Sequence, residues 1–338
     1  MQHEITSEGP LLDGAGNLIE PGWARRMLLR YDRAAVKKSA WNIKEWDYYI
    51  ISDGQRAVAL TVADNGYMGL LSASILDFMR PWEHTNTFME AFPFGKYRMP
   101  PTSQNGDVEV SKKGCSMRFL NRGAQRRIVC TYQQFYENHT LDVDITLSVP
   151  ETESIVIATP FYKPRHFYYN QKINCMPAEG HVRLGDQEFA ISKDHAFGTL
   201  DWGRGVWTYD NTWYWGSANG VVNGKPFGFN IGYGFGDTRE ATENAILYDH
   251  KLHKLEHVTF HIPEGNYLKP WTFSSSDGRF EMAFAPILDR AARTNAVVIE
   301  TDQHQVFGRF SGRAVLDDGT ELQIKELLGF AEKVRNRY

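Results

Sequence analysis

The residues best equipped for chemistry concentrate between positions 194 and 244. Asp201-Trp202-Gly203-Arg204-Gly205 sets a carboxylate three residues from a guanidinium, with glycine on both sides of the arginine. Glycine lets the backbone turn tightly and lets another group approach. Asp201 could orient Arg204, whose planar fork would then present donors to an anion or a polar ligand. A structural ion pair at a rim would use the same two residues. Glu243, in Thr242-Glu243-Asn244, is a second carboxylate. Burial would raise its pKa and fit it to donate a proton. Asp201 and Glu243 together would also suit glycoside hydrolysis, which needs two carboxyl groups. Asp194-His195 lies just upstream. A histidine beside a carboxylate can act as a general acid or base, but adjacent residues on a strand point to opposite faces.

The elements that must position these groups are strands. Asn223-Gly224 is a strong hairpin signal, because a type I′ turn needs positive φ at both central residues. That turn sets Val222 opposite Lys225, Asn219 opposite Gly228, Ser217 opposite Asn230, Trp215 opposite Gly232 and Trp213 opposite Gly234. One face then carries Trp213, Trp215, Ser217, Asn219, Asn230 and the glycines. The other carries Tyr214, Ala218, Phe227, Phe229, Ile231 and Tyr233, an ordinary core face. The mixed face has two readings. Each tryptophan ring covers its facing glycine, or the glycines floor a ligand pocket that the tryptophans wall. On the second reading Trp202, Trp213, Trp215, Asn219, Asn230 and His195 are the candidate ligand-binding residues. Asp201, Glu243 and Arg204 are the candidate catalytic ones.

Other signals exclude function classes. His250, His253, His257 and His261 would share a stripe on a helix, but Val258, Phe260 and Ile262 alternate as in a strand, so no metal site is expected. No phosphate loop, dinucleotide fingerprint, nucleophile elbow or His-Glu-x-x-His occurs, and no cofactor is expected. Net charge is −4 with no basic block, which argues against nucleic acid. No apolar run approaches the length of a transmembrane helix, and residues 1–10 lack a signal-peptide pattern. Cys115, Cys130 and Cys175 are an odd, scattered set, expected reduced in a cytoplasmic protein. The expected partner is a small molecule. Nothing fixes the oligomeric state.

Length allows one or two domains, and the aromatic content of 13% favours strands. Residues 1–22 read as an irregular lead-in, and a short helix is expected near 33–39. Strands run from Trp46 onward, with long connections at 80–107 and 161–180. The second connection suggests a division into 23–165 and 166–338, the latter carrying the Asp-Trp-Gly-Arg-Gly motif. Antiparallel sheets this extensive must hide their edges, and closure does so. The expected fold is all-β: two consecutive antiparallel lipocalin-like barrels or half-barrels with few short helices.

The run Leu200 to Trp207, followed by Trp213-Tyr214-Trp215, resembles the bacterial domain of unknown function 2804 family. Gly22-Trp23-Ala24-Arg25, Phe167-Tyr168-Tyr169, Thr242-Glu243-Asn244 and Gly329-Phe330-Ala331-Glu332 agree with it. Thr208 and Tyr338 depart from it, where proline and tryptophan are expected. More distantly the chain is similar to the lipocalin-like two-barrel group of carotenoid hydratases and tocopherol cyclases. That similarity implies a hydrophobic pocket and cofactor-independent, acid-assisted addition, elimination or cyclisation on an apolar or polyprenoid-like substrate. A carbohydrate-active enzyme and a non-catalytic lipocalin-like binder are the alternatives.

Overall fold

The structure is a computed structural model that describes residues 2–296 and 299–337. It is built from strands, with one 3-10 turn at Arg33–Ala35 where a short helix was expected. Two large antiparallel sheets dominate. In the first, the strand order is Trp82–Ala91, Met68–Asp77, Arg56–Asp64, Lys44–Ser52, Phe197–Val206, Phe167–Leu184, His139–Ser148, Gln125–Tyr136, Cys115–Asn121 and Val108–Lys112. In the second it is Lys251–Lys254, Ala245–Tyr248, Lys225–Tyr233, Asp210–Val222, Glu321–Arg337, Ile299–Val315, Phe280–Ala296, Trp271–Ser275 and Val258–His261. Each curls into a half-barrel around its own core.

Three expectations about layout change. The stretch 161–180 is mostly one long strand, Phe167–Leu184, not a crossover connection. Its aromatic residues alternate: Phe167 and Tyr169 enter the first core, while Tyr168 turns the other way. The connection expected at 80–107 likewise contains the strand Trp82–Ala91. Third, the change of sheet falls between Val206 and Asp210, not at 165/166. The Asp-Trp-Gly-Arg-Gly motif therefore sits at the centre of the first sheet. The lead-in is also tied down: Trp23 pairs with Ile157, and Glu4 bridges to Trp23.

The expected hairpin register is observed. Val222 faces Lys225, Asn219 faces Gly228, Ser217 faces Asn230 and Trp215 faces Gly232, and Asn223 and Gly224 both have positive φ. The ladder ends at Tyr214 and Tyr233, so Trp213 and Gly234 lie just beyond it.

The central strands use both faces, as period-two alternation requires. In Lys44–Ser52, Tyr49 and Ile51 face the first core, whereas Tyr48 and Ile50 face the second sheet. In Asp210–Val222, Ala218 and Val222 face the second core, whereas Trp213 and Trp215 face the first sheet. The two half-barrels thus meet along a seam of large aromatics.

A tryptophan does cover a facing glycine in this protein, but within the first sheet. Gly203 pairs with Trp46, whose indole fills the space where a Cβ on Gly203 would stand. Gly203→Ala is expected to destabilise the fold by about 1–3 kcal/mol through overpacking, read as a lower denaturation midpoint. An unchanged midpoint would mean that the ring moves aside freely.

Candidate active site

A cavity of about 420 Å³ lies at the seam. Its floor is a cluster of charged side chains. Lys172, on the long strand Phe167–Leu184, places Nζ 2.8 Å from Asp201 and 3.9 Å from Glu243. Lys172 and Asp201 occupy paired positions on neighbouring strands, so backbone register alone brings them together. Asn170 donates to Asp201 at 2.6 Å. The ammonium lies 4.2 Å from the centre of the Trp215 ring, a cation–π contact. Lys172 is 3% exposed and Asp201 11%, so the charges compensate one another out of bulk water.

Glu243 is held from its loop. Asn230 donates to its carbonyl at 2.9 Å and to Oε2 at 3.0 Å. The same Asn230 accepts from the Trp215 indole at 2.6 Å. The next residue, Asn244, accepts from the Gly232 amide at 2.7 Å. Glycine is needed at 232 because Glu243 Oε1 lies 2.6 Å from where a Cβ would stand. At Gly228 the nearest group to that position is Cys175 Sγ, at 2.8 Å. The protein's own side chains, not a ligand, take the space above these glycines. Burial pushes the Glu243 carboxyl up, and Lys172 opposes that shift.

The opposite wall comes from the second sheet. Glu332, on the strand Glu321–Arg337, is 5% exposed and lines the cavity. Its oxygens accept from the Trp213 indole at 3.0 Å and from Gln305 Nε2 at 2.9 Å. Burial pushes its carboxyl up to about 7, and these two hydrogen bonds only partly oppose the shift. The apolar end is an aromatic cage. Phe235 packs edge-on against Tyr168, Trp207 and Trp213, with centroids 4.8, 5.4 and 5.3 Å away. Trp46 stacks on Tyr168 at 5.9 Å.

The raised Glu332 pKa has a consequence for stability. The folded value of about 7 exceeds the ordinary 4.5, so the folded state holds this proton more tightly than the unfolded chain. This contribution is fully present below pH 4.5 and is lost as pH rises through 7. Its size is about 3 kcal/mol at 1.36 kcal/mol per unit. Denaturant titrations from pH 4.5 to 8 should show that loss in the wild type and not in Glu332→Gln. Parallel profiles would remove the proton from Glu332.

The sequence expectations divide clearly. Asp201, Glu243, Trp213 and Trp215 line the cavity. Trp215 gives one ring face to Lys172, and Asn230 acts by holding Trp215 and Glu243. Arg204 and Trp202 do not reach the cavity. They lie on the other face of their strand, since residues three apart on a strand point oppositely. Arg204 is fully buried and pairs with Asp47, not Asp201, at 3.0 Å. It also donates to the carbonyls of Trp46 and Pro100 and stacks 4.2 Å over Trp202. It lies inside the first core, away from the cavity. His195 is exposed and Asn219 bonds to Thr199, Asn174 and Cys175; both border a separate cavity of about 280 Å³. Lys172, Arg290, Gln305 and Glu332 were not anticipated. The three cysteines are free and buried, and burial pushes Cys115 and Cys175 up to about 12. Among the described residues, no group of three or more His, Cys, Asp or Glu side chains could hold a metal.

Two facing half-barrels define a lipocalin-like fold. The chain belongs to the family described as domain of unknown function (DUF2804), which matches residues 2–338. No match is found among the curated proteins. Among solved structures, kievitone hydratase from Nectria haematococca is similar over 97% of both chains, with a TM-score of 0.51 and 11% identity. A structure described as an AttH from Nitrosomonas europaea is similar over 96% of this chain and 98% of its own, with a TM-score of 0.52 and 12% identity. At such identities the likeness is one of fold.

Proposed function

We propose that the seam cavity binds a small, largely apolar molecule and catalyses acid-assisted addition, elimination or cyclisation on it. The observation that carries this reading is Glu332, a buried carboxyl on the cavity wall whose pKa is pushed up to about 7. General acids work best with a pKa near the working pH. Glu332 delivers its proton to a double bond or oxygen of the substrate. Positive charge then develops on the substrate, faced by the Trp213 ring and the Asp201 carboxylate. Water or an internal nucleophile adds, and its proton returns to Glu332. Elimination follows the same steps in reverse. Lys172 and Asn170 are positioning residues that fix Asp201, and Asn230 fixes Glu243. The similarity in fold to a hydratase supports this class of reaction without naming the substrate.

The test is incubation with a panel of terpenoid, phenolic and polyene alkenes in ¹⁸O-labelled, deuterated water, read by mass spectrometry. The expected result is label incorporated into one substrate class by the wild type and not by Glu332→Gln. A ligand that binds tightly and is recovered unlabelled and unrearranged would identify a carrier in place of an enzyme.

A further inference from the structure

One strong cation of the cavity has no carboxylate in direct contact. Arg290, on the strand Phe280–Ala296, donates to Ser74 Oγ at 2.8 Å and to Gln305 Oε1 at 2.6 Å, both neutral acceptors. Among the described residues, no carboxylate forms an ion pair with its guanidinium, and Glu332 is joined to it only through Gln305. Two of its five N–H donors are used in these bonds. Nearby, the Tyr48 hydroxyl is buried and lines the cavity, close to Arg290 and Gln305 but without a well-formed hydrogen bond to either. A buried hydroxyl with such poorly formed bonds is better satisfied with an acceptor present.

The charge balance of the cavity points the same way. Lys172 is matched by Asp201. Glu243 lies on the Lys172 side at 3.9 Å, and burial raises the Glu332 carboxyl to about 7. Glu83 lies at the edge near Thr85, from which it accepts a hydrogen bond at 3.0 Å. While Glu332 is protonated, Arg290 is the cavity cation that lacks a direct carboxylate partner. Around it run the hydroxyls of the first sheet, with Ser74 paired to Thr85 and Ser72 to Thr87 at 2.8 Å each. This hydroxyl-rich wall contrasts with the aromatic cage of Trp46, Tyr168, Trp207, Trp213 and Phe235.

We propose that the ligand is amphipathic and anionic: an apolar body in the aromatic cage, and a carboxylate or equally delocalised oxyanion held by Arg290 and Tyr48. The inference rests on the seam cavity being the ligand site, but not on any reaction occurring there. Guanidinium forks suit planar oxyanions, and hydrogen bonds to charged groups are stronger than those between neutral ones.

The test uses displacement of a neutral fluorescent probe, N-phenyl-1-naphthylamine, at pH 6, below the Glu332 value of about 7. The competitors are 1-naphthaleneacetate and 2-(1-naphthyl)ethanol, which share the ring system and differ in charge. In the wild type, the acetate should displace the probe at a concentration at least about tenfold lower than the alcohol, the factor that 1.4 kcal/mol supplies. Arg290→Met should bring the acetate to the level of the alcohol and leave the alcohol unchanged. Tyr48→Phe should weaken the acetate alone, by a smaller factor. Equal displacement by both competitors in the wild type overturns the proposal. So does a preference that survives Arg290→Met and vanishes in Lys172→Met, or an equal weakening of both competitors in Arg290→Met. In those cases the cavity still binds the neutral probe and the proposed acid chemistry stands. Failure of the wild type to bind the probe at all would remove both readings.

Discussion

Glu332→Gln should lower turnover on any substrate found for the cavity by about 10²- to 10⁴-fold, the usual contribution of a positioned proton donor. Glutamine retains the volume and one carbonyl acceptor for the Trp213 indole or Gln305. It cannot deliver a proton near neutrality. The wild-type rate should fall as pH rises through about 7, because the working form is the protonated acid. The residual activity of the variant should lack that limb. The substitution should also remove the stability loss between pH 4.5 and 7 described above, so the variant gains on the wild type at pH 8. A more stable and far less active protein is the combination expected of a carboxyl buried for function. Full turnover in Glu332→Gln would move the acid role to Glu243, the other cavity carboxyl that burial pushes up.

The second large effect is on folding. Lys172→Met should cost about 3–5 kcal/mol, the penalty for removing one partner of a buried ion pair. The loss is large because two carboxylates depend on the same ammonium, Asp201 at 2.8 Å and Glu243 at 3.9 Å. Lys172→Met combined with Asp201→Asn should recover most of it, since the amide needs no countercharge. The measurement is the denaturation midpoint at constant slope for both single variants and the double variant. A single-variant loss below about 1 kcal/mol would mean that water reaches the cluster and screens it, as at a surface pair.

These two residues also show what could be read from the chain. The hairpin around Asn223-Gly224 was legible to the residue because a two-residue turn dictates register. Once that register is known, so is the face shared by Trp213 and Trp215. Arg204 could have been separated from Asp201 by the same alternation rule, since both lie in one strand; its partner Asp47 could not have been named. Lys172 was hidden in a stretch whose proline and aromatic content resembles a loop. Only the ladder between Phe167–Leu184 and Phe197–Val206 places it against Asp201. Glu332 sits more than a hundred residues from Trp213, in a strand whose other charged residues are solvent-facing. Its burial is a property of two sheets facing each other, which no local pattern encodes. The glycines were noticed for a sound reason, but the groups that need their space come from Glu243, Cys175 and Trp46.

The placement of the cavity groups within their sheets divides them into two sets. Lys172 and Asp201 stand on interior strands of the first sheet, and Trp213, Trp215 and Glu332 on interior strands of the second. Each of these strands is hydrogen-bonded on both sides, so a change there is felt throughout the fold. The hydroxyl wall is different. Thr85 and Thr87 lie on Trp82–Ala91, the terminal strand of its sheet, which has a neighbour on one side only. Arg290 lies close to the far end of a long hairpin. Substitutions at these positions can reshape the polar end of the cavity while the acid and the charge cluster stay in register. On the reading proposed above, ligand preference can be altered at the periphery without disturbing the charge cluster, and libraries aimed at new ligands belong at positions 85, 87 and 290.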